Sequence, residues 1–329
     1  KCMARLYVKI KDQDNVVVAV QDLKAGTEIM EGLVTNQDIP QAHKIALCDI
    51  PAGGEIIRYG VVLGYAINDI KKGDWINEHM VILPESPALD DMPYATHIVP
   101  KEELPEPTVT TWMGYKNEHG PAGTRNLLGI MTTVQCVAGV AKVAVERIKK
   151  ELLPKYPNVD GVVAVTHPYG CGVAINAPMA YIPIRSLHNI IHHPNFGGEV
   201  MVLGLGCEKL TYERLMDPED ITPENCLTIQ ECHGHDEMMN QIMAMAEKKL
   251  QKLNQRKREP LPLSELVIGM QCGGSDAFSG LTANPSAGYA ADMLVRGGAT
   301  VMFSEVTEVR DGVHMLAARC PDAHTRDRL

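Results

Sequence analysis

No run of about twenty apolar residues occurs in the 329-residue chain, so nothing in it reads as a membrane-spanning helix. The opening KCMARLYVKI lacks the long apolar stretch of a secretory leader. Positive charge is in short supply: 31 Lys and Arg stand against 41 Asp and Glu, a net charge of -10. That balance argues against a nucleic-acid surface, which needs clustered cations. An acidic protein can still bind an acidic substrate through a local cationic pocket or a metal. No CxxC pair is present, which weakens zinc-finger and thioredoxin-like readings. The nine cysteines are an odd, scattered set, better read as reduced thiols of a cytoplasmic protein than as a disulfide framework. There is no Walker motif, and no GxGxxG follows the first strand of the α/β region. A nucleotide site, and with it a hydride-transferring oxidoreductase, therefore lacks support. No internal repeat or low-complexity segment is visible.

Hydrophobic residues make up 45% of the chain, enough for a real core, and its length suits two or three domains. Residues 1–84 read as a small β domain. Short runs such as LYVKI, VVVAV, KIALCDI and VVLGYAI are separated by the turn signals KAG, IPQ, PAGG and KKGD. Residues 85–109 are rich in Pro and acid and read as a stiff linker. From residue 110 the pattern becomes strand, loop, helix, repeated. Strands are expected at 127–134, 161–167, 199–206, 226–231, 265–271 and 299–305. Helices are expected over 137–153, about 175–191, 236–257 and about 285–296. Apolar strands alternating with helices predict an α/β region with a parallel sheet covered on both faces, a Rossmann-like variant. This region divides into a second α/β domain over 110–258 and the start of a further α/β domain over 259–329.

Reactive side chains recur where these strands end. Cys136, His167, Cys207 with Glu208, Cys272 and Glu305 each follow or close a predicted strand. In open α/β sheets ligands bind beyond the carboxyl ends of the strands, so five strand ends are expected to serve one sheet edge. The loops YGCG, GLGCE and QCGGSDAFSG let backbone approach a ligand, and GGSD ahead of a helix suits an anion. Plainer readings stand beside these. A Cys after a buried strand is often a small core residue. His167 can simply cap a strand. ECHGHDE (231–237) has metal-ligand residue types but sits at a helix start and reads as exposed. Met238, Met239, Met243 and Met245 read as core, and the basic residues of 248–258 as a solvated face. His43 with Lys44, and His79, lie beside turns from which they could project into a site or into solvent.

These segments resemble the galactarate/altronate dehydratase family, with the galactarate branch favoured. The resemblance rests on GMQCGGSDAFSGLTANPSAGYAADMLVRGGATVMFSEVTEVRDGVHML, HPYGCGVAINAP and HPNFGGEVMVLGLGCEKL. DLKAGTEI and GDWINEHMVIL resemble that family's SAF-like β-clip domain. The resemblance runs from about residue 5 to 317. The ending AARCPDAHTRDRL does not share it, and family members are expected to continue with further α/β structure, whose absence would leave apolar faces uncovered.

The resemblance implies a hydro-lyase, with ferrous iron as cofactor, that dehydrates a sugar acid such as galactarate to 5-dehydro-4-deoxy-glucarate. An α-proton is taken, the β-hydroxyl leaves and the enol becomes a ketone. Under it Cys272, Glu305 and His167 are candidate metal ligands, a donor set reasonable for iron. Arg125, Asn126 and Lys209 are candidates to bind the substrate, Arg125 by a bidentate fork to a carboxylate. Ser275 and Asp276 would bind hydroxyls or carboxylate at a helix start. The general base is left open among His43, His79 and His167. Altronate dehydration, a sulfo-lyase activity, and an inactive truncated paralogue remain as alternatives. The expected partner is a small-molecule sugar acid, with no nucleic acid or membrane, in a homodimer.

Overall fold

The structure is a computed structural model. It describes residues 5–85, 87–95, 98, 100, 103–274, 276 and 278–329, with residues 89, 310 and 311 described by backbone alone. Ser275 therefore lies outside the described residues. The chain forms two compact units. One comprises residues 1–105, 269–292 and 303–329, the other residues 106–268 and 293–302.

The first unit is built on nine short strands: β1 (Tyr7–Val8), β2 (Val16–Ala19), β3 (Glu28–Met30), β4 (Leu33–Val34), β5 (Lys44–Ala46), β6 (Glu55–Arg58), β7 (Val61–Ala66), β8 (Trp75–Ile76) and β9 (Val81–Ile82). They pair antiparallel in the orders β1-β2-β5-β8, β6-β7-β9 and β3-β4. Strand β2 is buried throughout because its two faces serve two cores. Val16 packs with Ala46, Ile56 and Ile76, while Val17 and Ala19 pack with Ile45, Leu33 and Ile39. Alternation of side chains along a strand makes this possible. Tyr59 and Gly60, both at positive φ (61° and 74°), form the tight turn between β6 and β7, the geometry favoured in two-residue hairpins. Part of the expected linker is tied down within this unit. The Ala95 N–H donates to the Cys320 carbonyl (2.8 Å), and Arg326 Nη1 donates to the Met92 carbonyl (2.9 Å).

The second unit holds β10 (Thr111–Gly114), β11 (Leu127–Thr132), α1 (Ala138–Glu151), β12 (Gly161–Val165), α2 (Tyr181–Ile191), β13 (Val200–Gly204), α3 (Tyr212–Leu215), β14 (Cys226–Thr228), α4 (His235–Leu253) and β15 (Glu259–Pro262). Strands β12, β11, β13 and β14, in that order, make one parallel sheet. It is covered on both faces, as expected. Leu128, Ile130, Met201 and Leu203 pack against α1 and α4, while Met131, Val200 and Val202 pack against α2 and α3. Gly129 leaves room for Phe196, whose ring would lie 3.0 Å from any Cβ there. Helix α2 starts at Tyr181, later than expected, because turns occupy the stretch around Pro178. The antiparallel pair β10-β15 was not foreseen: Pro260 and Pro262 lie inside β15, which survives as half of an isolated two-stranded ribbon.

Further along run β16 (Val267–Met270), α5 (Ala283–Arg296), β17 (Thr300–Phe303), α6 (Val313–Ala317) and α7 (Ala323–Asp327). Strands β16 and β17 form their own two-stranded sheet. This corrects the expectation of five strand ends on one edge, because Cys272 and Glu305 follow strands outside the parallel sheet. Tyr289, Val295, Met302, Phe303 and Val306 are exposed apolar side chains.

The basic stretch 248–258 is not uniformly solvated. Lys249 is 3% exposed and donates to Glu199 (3.0 Å) and Asn225 (2.6 Å). Arg256 is held by Asn126, Asn117 and the Lys116 carbonyl. Met238 and Met239 are core, as expected, and Met243 and Met245 pack against it.

Candidate functional site

In the second unit the chain runs from β11 outward to β12 and then returns past β11 to β13. The carboxyl ends at that reversal are where open sheets bind ligands. A cavity of about 400 Å³ lies there. Thr133, His167, Tyr169 and Glu208 give it a polar wall, and Val173, Ile175, Met179 and Leu187 an apolar one.

His167 is 8% exposed. Its Nε2 contacts the Thr132 carbonyl (3.0 Å), and its Nδ1 accepts from the Tyr169 N–H (3.2 Å). A carbonyl only accepts, so Nε2 carries the proton and no ring lone pair remains for a metal. Burial lowers its pKa against the partial support of backbone bonds at Thr132 and Thr133. Glu208 accepts from the N–H groups of Leu205 (2.9 Å) and Gly206 (2.6 Å) and from the Thr133 hydroxyl. Burial pushes its pKa up, but these donors win and hold it below the ordinary carboxylate range. The cavity wall thus carries a fixed negative charge. Lys209, past the end of β13, is exposed and donates to the Val173 carbonyl (3.2 Å).

The other predicted ligands of this unit lie elsewhere. Arg125 and Asn126 precede β11, at the opposite sheet edge, a strand length of about 17–20 Å away. Arg125 is exposed. Asn126 is 0% exposed, so it cannot touch a substrate. Its Nδ2 donates to the carbonyls of Asn158 (2.8 Å) and Leu253 (2.9 Å), and its Oδ1 accepts from Arg256. It is an internal clamp.

In the first unit, Asp276 accepts from the N–H groups of Phe278 (2.7 Å) and Ser279 (2.8 Å), shaping its own loop. That loop is tied to the β6–β7 turn by the Tyr59 hydroxyl, which donates to the Gly280 carbonyl. Arg58 stacks on Tyr59, 5.0 Å from the ring centre. A Cβ on Gly280 would lie 3.8 Å from its Nη2. The Nε of Arg58 is buried and has no hydrogen-bond partner among the described residues. Lys44, half-buried on β5, has its pKa lowered by burial first and by Arg58 second, with Glu78 offsetting part. Two cations thus repel each other, with Glu78 as a partial counter-charge. The sequence reading noted Lys44 beside His43 and missed Arg58, whose proximity follows from strand packing.

The Nδ1 of His43 accepts from Trp75 Nε1–H (2.8 Å), so a neutral His43 offers an N–H and no free lone pair. His79 is exposed on a turn capped by Asn77. Cys272 and Glu305 are exposed, Glu305 with φ of 61°. Among the described residues one group of three metal-capable side chains assembles, and it contains none of His167, Cys272 and Glu305. His167, with both ring nitrogens engaged, does not fit a metal ligand as it stands. The 231–237 stretch forms no such group either.

Cys136, Cys171 and Cys207 are exposed, not core. Cys226 is half-buried, and burial chiefly pushes its pKa up to about 11. At pH 8 roughly a thousandth of it is thiolate, the reactive form. Brief alkylation at pH 8 with mass-spectrometric mapping is expected to label the three exposed cysteines at least about tenfold faster than Cys226. Equal labelling would mean that β14 opens readily.

A small β domain together with a doubly covered parallel sheet, with a cavity at the sheet's reversal point, defines an α/β protein with a candidate ligand site at that reversal. Comparison with known proteins specifies the kind. The altronate/galactarate dehydratase SAF domain matches residues 5–84. The second domain of D-galactarate dehydratase/altronate hydrolase matches residues 114–254, and the D-galactarate/altronate dehydratase C-terminal segment matches 263–329. The chain belongs to the galactarate/altronate dehydratase family. It is 57% identical to galactarate dehydratase (L-threo-forming) of Escherichia coli K12, over 98% of this chain and 63% of that protein. It is 34% identical to altronate dehydratase of the same organism, over 98% of this chain and 64% of that protein. Altronate dehydratase of Bacillus subtilis 168 is also 34% identical, over 92% of this chain and 60% of that protein. The chain thus spans somewhat under two thirds of the length of these relatives. The C-terminal match reaches residue 329, which corrects the sequence reading that set residues 318–329 apart.

Proposed function

We propose that the protein carrying this sequence is a hydro-lyase that removes water from a sugar acid, with galactarate as the preferred substrate. The observation that carries this is the 57% identity to a galactarate dehydratase, sustained over 98% of the chain. Chemistry in the first unit supports it. A proton next to a carboxylate is weakly acidic, and its removal builds charge on the carboxylate oxygens. Arg58, half-buried, carries a guanidinium suited to a carboxylate. Lys44, with its depressed pKa, is the group here best suited to take the α-proton; His43 offers only an N–H, and His167 has both nitrogens engaged. The β-hydroxyl then leaves as water, taking back the proton that Lys44 removed, and the enol tautomerises to the ketone. Ferrous iron is implied by the family resemblance alone.

The same reading places the protein in the cytoplasm as a homodimer acting on a small-molecule sugar acid. No helix among the described residues is long and apolar enough to cross a membrane. The test is anaerobic turnover of galactarate, glucarate and altronate with ferrous iron and reductant, following 2-keto acid. Galactarate is expected to react fastest. Preference for altronate would move the protein to the other branch, and no turnover of any of the three by folded protein would sink the proposal.

A further inference from the structure

We infer that the second unit carries a divalent transition-metal site, of the zinc class, made by His188, His192 and Asp217. His188 and His192 are four residues apart at the end of α2 and so share one helix face. Their ring centres are 4.8 Å apart. Asp217 follows α3, and its Oδ2 lies 3.3 Å from His192 Nε2. One donor atom from each of the three lies within 4.8 Å of the others. Around a tetrahedral zinc with bonds of about 2.0–2.1 Å, ligand atoms sit about 3.3–3.4 Å apart. The His192–Asp217 edge already has that length, and a modest side-chain rotation brings in His188.

Two further observations set this group apart from a surface ion pair. The Nδ1 of His188 lies 3.1 Å from the Leu215 carbonyl and must donate to it, which leaves Nε2 bare and the ring oriented. Ligating imidazoles are held in this way by their second nitrogen. Asp217 stands at the N-cap of the turn Pro218–Asp220 yet makes no side-chain cap bond, so its carboxylate is not spent on its own backbone. The histidines also sit at the carbonyl end of α2, where the helix dipole favours a cation. Two imidazoles, one carboxylate and a solvent-open position make a three-ligand site able to hold a water. His192 also lines a cavity of about 600 Å³.

The test is titration of chelator-treated protein with cobalt(II), comparing the unaltered protein with His188→Gln/His192→Gln and with the milder Asp217→Asn. Visible bands of four- or five-coordinate cobalt are expected in the unaltered protein, bleached by zinc. The double variant should lack that equivalent, and Asp217→Asn should bind roughly tenfold or more weakly, with circular dichroism unchanged. The same cobalt stoichiometry and affinity in all three proteins would show that the group is an ion pair only. If the double variant does not fold, Asp217→Asn decides alone: unchanged affinity overturns the site.

Discussion

Lys44→Met is expected to lower kcat/KM on galactarate by about 10³, near the middle of the range for loss of a general base. That corresponds to roughly 4 kcal/mol of transition-state stabilisation. Lys44 is paired on β5 with Val18 and Ile76, so its ammonium emerges from a half-buried strand. Burial disfavours the charged form and Arg58 repels it, so its pKa lies below the ordinary lysine value. A lower pKa leaves more of the neutral amine, the form that accepts a proton. The rising limb of the pH–rate profile should therefore fall below the ordinary lysine range, and Arg58→Met should move it upward by removing the repulsion. A structural role for either residue would not shift that limb. Lys44→Arg should not restore activity, because guanidinium does not deprotonate.

The sign of the stability effect separates this from simple unfolding. Because the folded-state pKa of Lys44 is lowered, the unfolded chain binds more protons. The native state therefore loses stability as pH falls from the ordinary lysine value toward that of Lys44, and below it the penalty is complete. At neutral pH Lys44→Met should be at least as stable as the parent protein while nearly inactive. A variant within about threefold of parental kcat/KM would remove Lys44 from the chemistry, since even weak general bases contribute about 10².

The parts of the fold legible in the sequence are those governed by side-chain period. The buried alternation of β2 and the apolar strands β11 to β14 announced a β domain and a covered parallel sheet. Which sheet a strand joins is not a local property. Strands β16 and β17 looked like β11 and β13 in sequence, yet among the described residues they pair with each other and not with the parallel sheet, so Cys272 and Glu305 follow strands outside it. Chemical type did not reveal burial either. Asn126 beside Arg125 looked like a ligand and is an internal clamp, and Lys249 looked solvated and is buried against Glu199. Residues distant in sequence escaped for the same reason. The spacing of His188 and His192 is visible in the sequence, but Asp217 meets them only through the packing of α2 and α3.

Asn126→Ala is expected to destabilise the second unit by about 2–4 kcal/mol, a large loss for one residue. The Asn158 carbonyl would lose a donor, the Leu253 carbonyl one of two and Arg256 one of its three acceptors, around a side chain that is 0% exposed. Each stranded buried group costs about 1–3 kcal/mol, and a charged donor more. The clamp joins the start of β11, the loop before β12 and the end of α4, so its loss loosens three elements together. Arg256 has little freedom to find another partner, because its guanidinium lies so close to Gly197 that a Cβ there would collide with it. Asn126→Asp should not rescue. It keeps an acceptor for Arg256 but sets oxygen against both carbonyls. Urea unfolding followed by far-ultraviolet circular dichroism checks this through the midpoint, with the slope unchanged. An unchanged midpoint with a raised KM would return Asn126 to the substrate-binding role first read from the sequence. A fall in midpoint with normal turnover by the folded fraction fixes it as part of the scaffold.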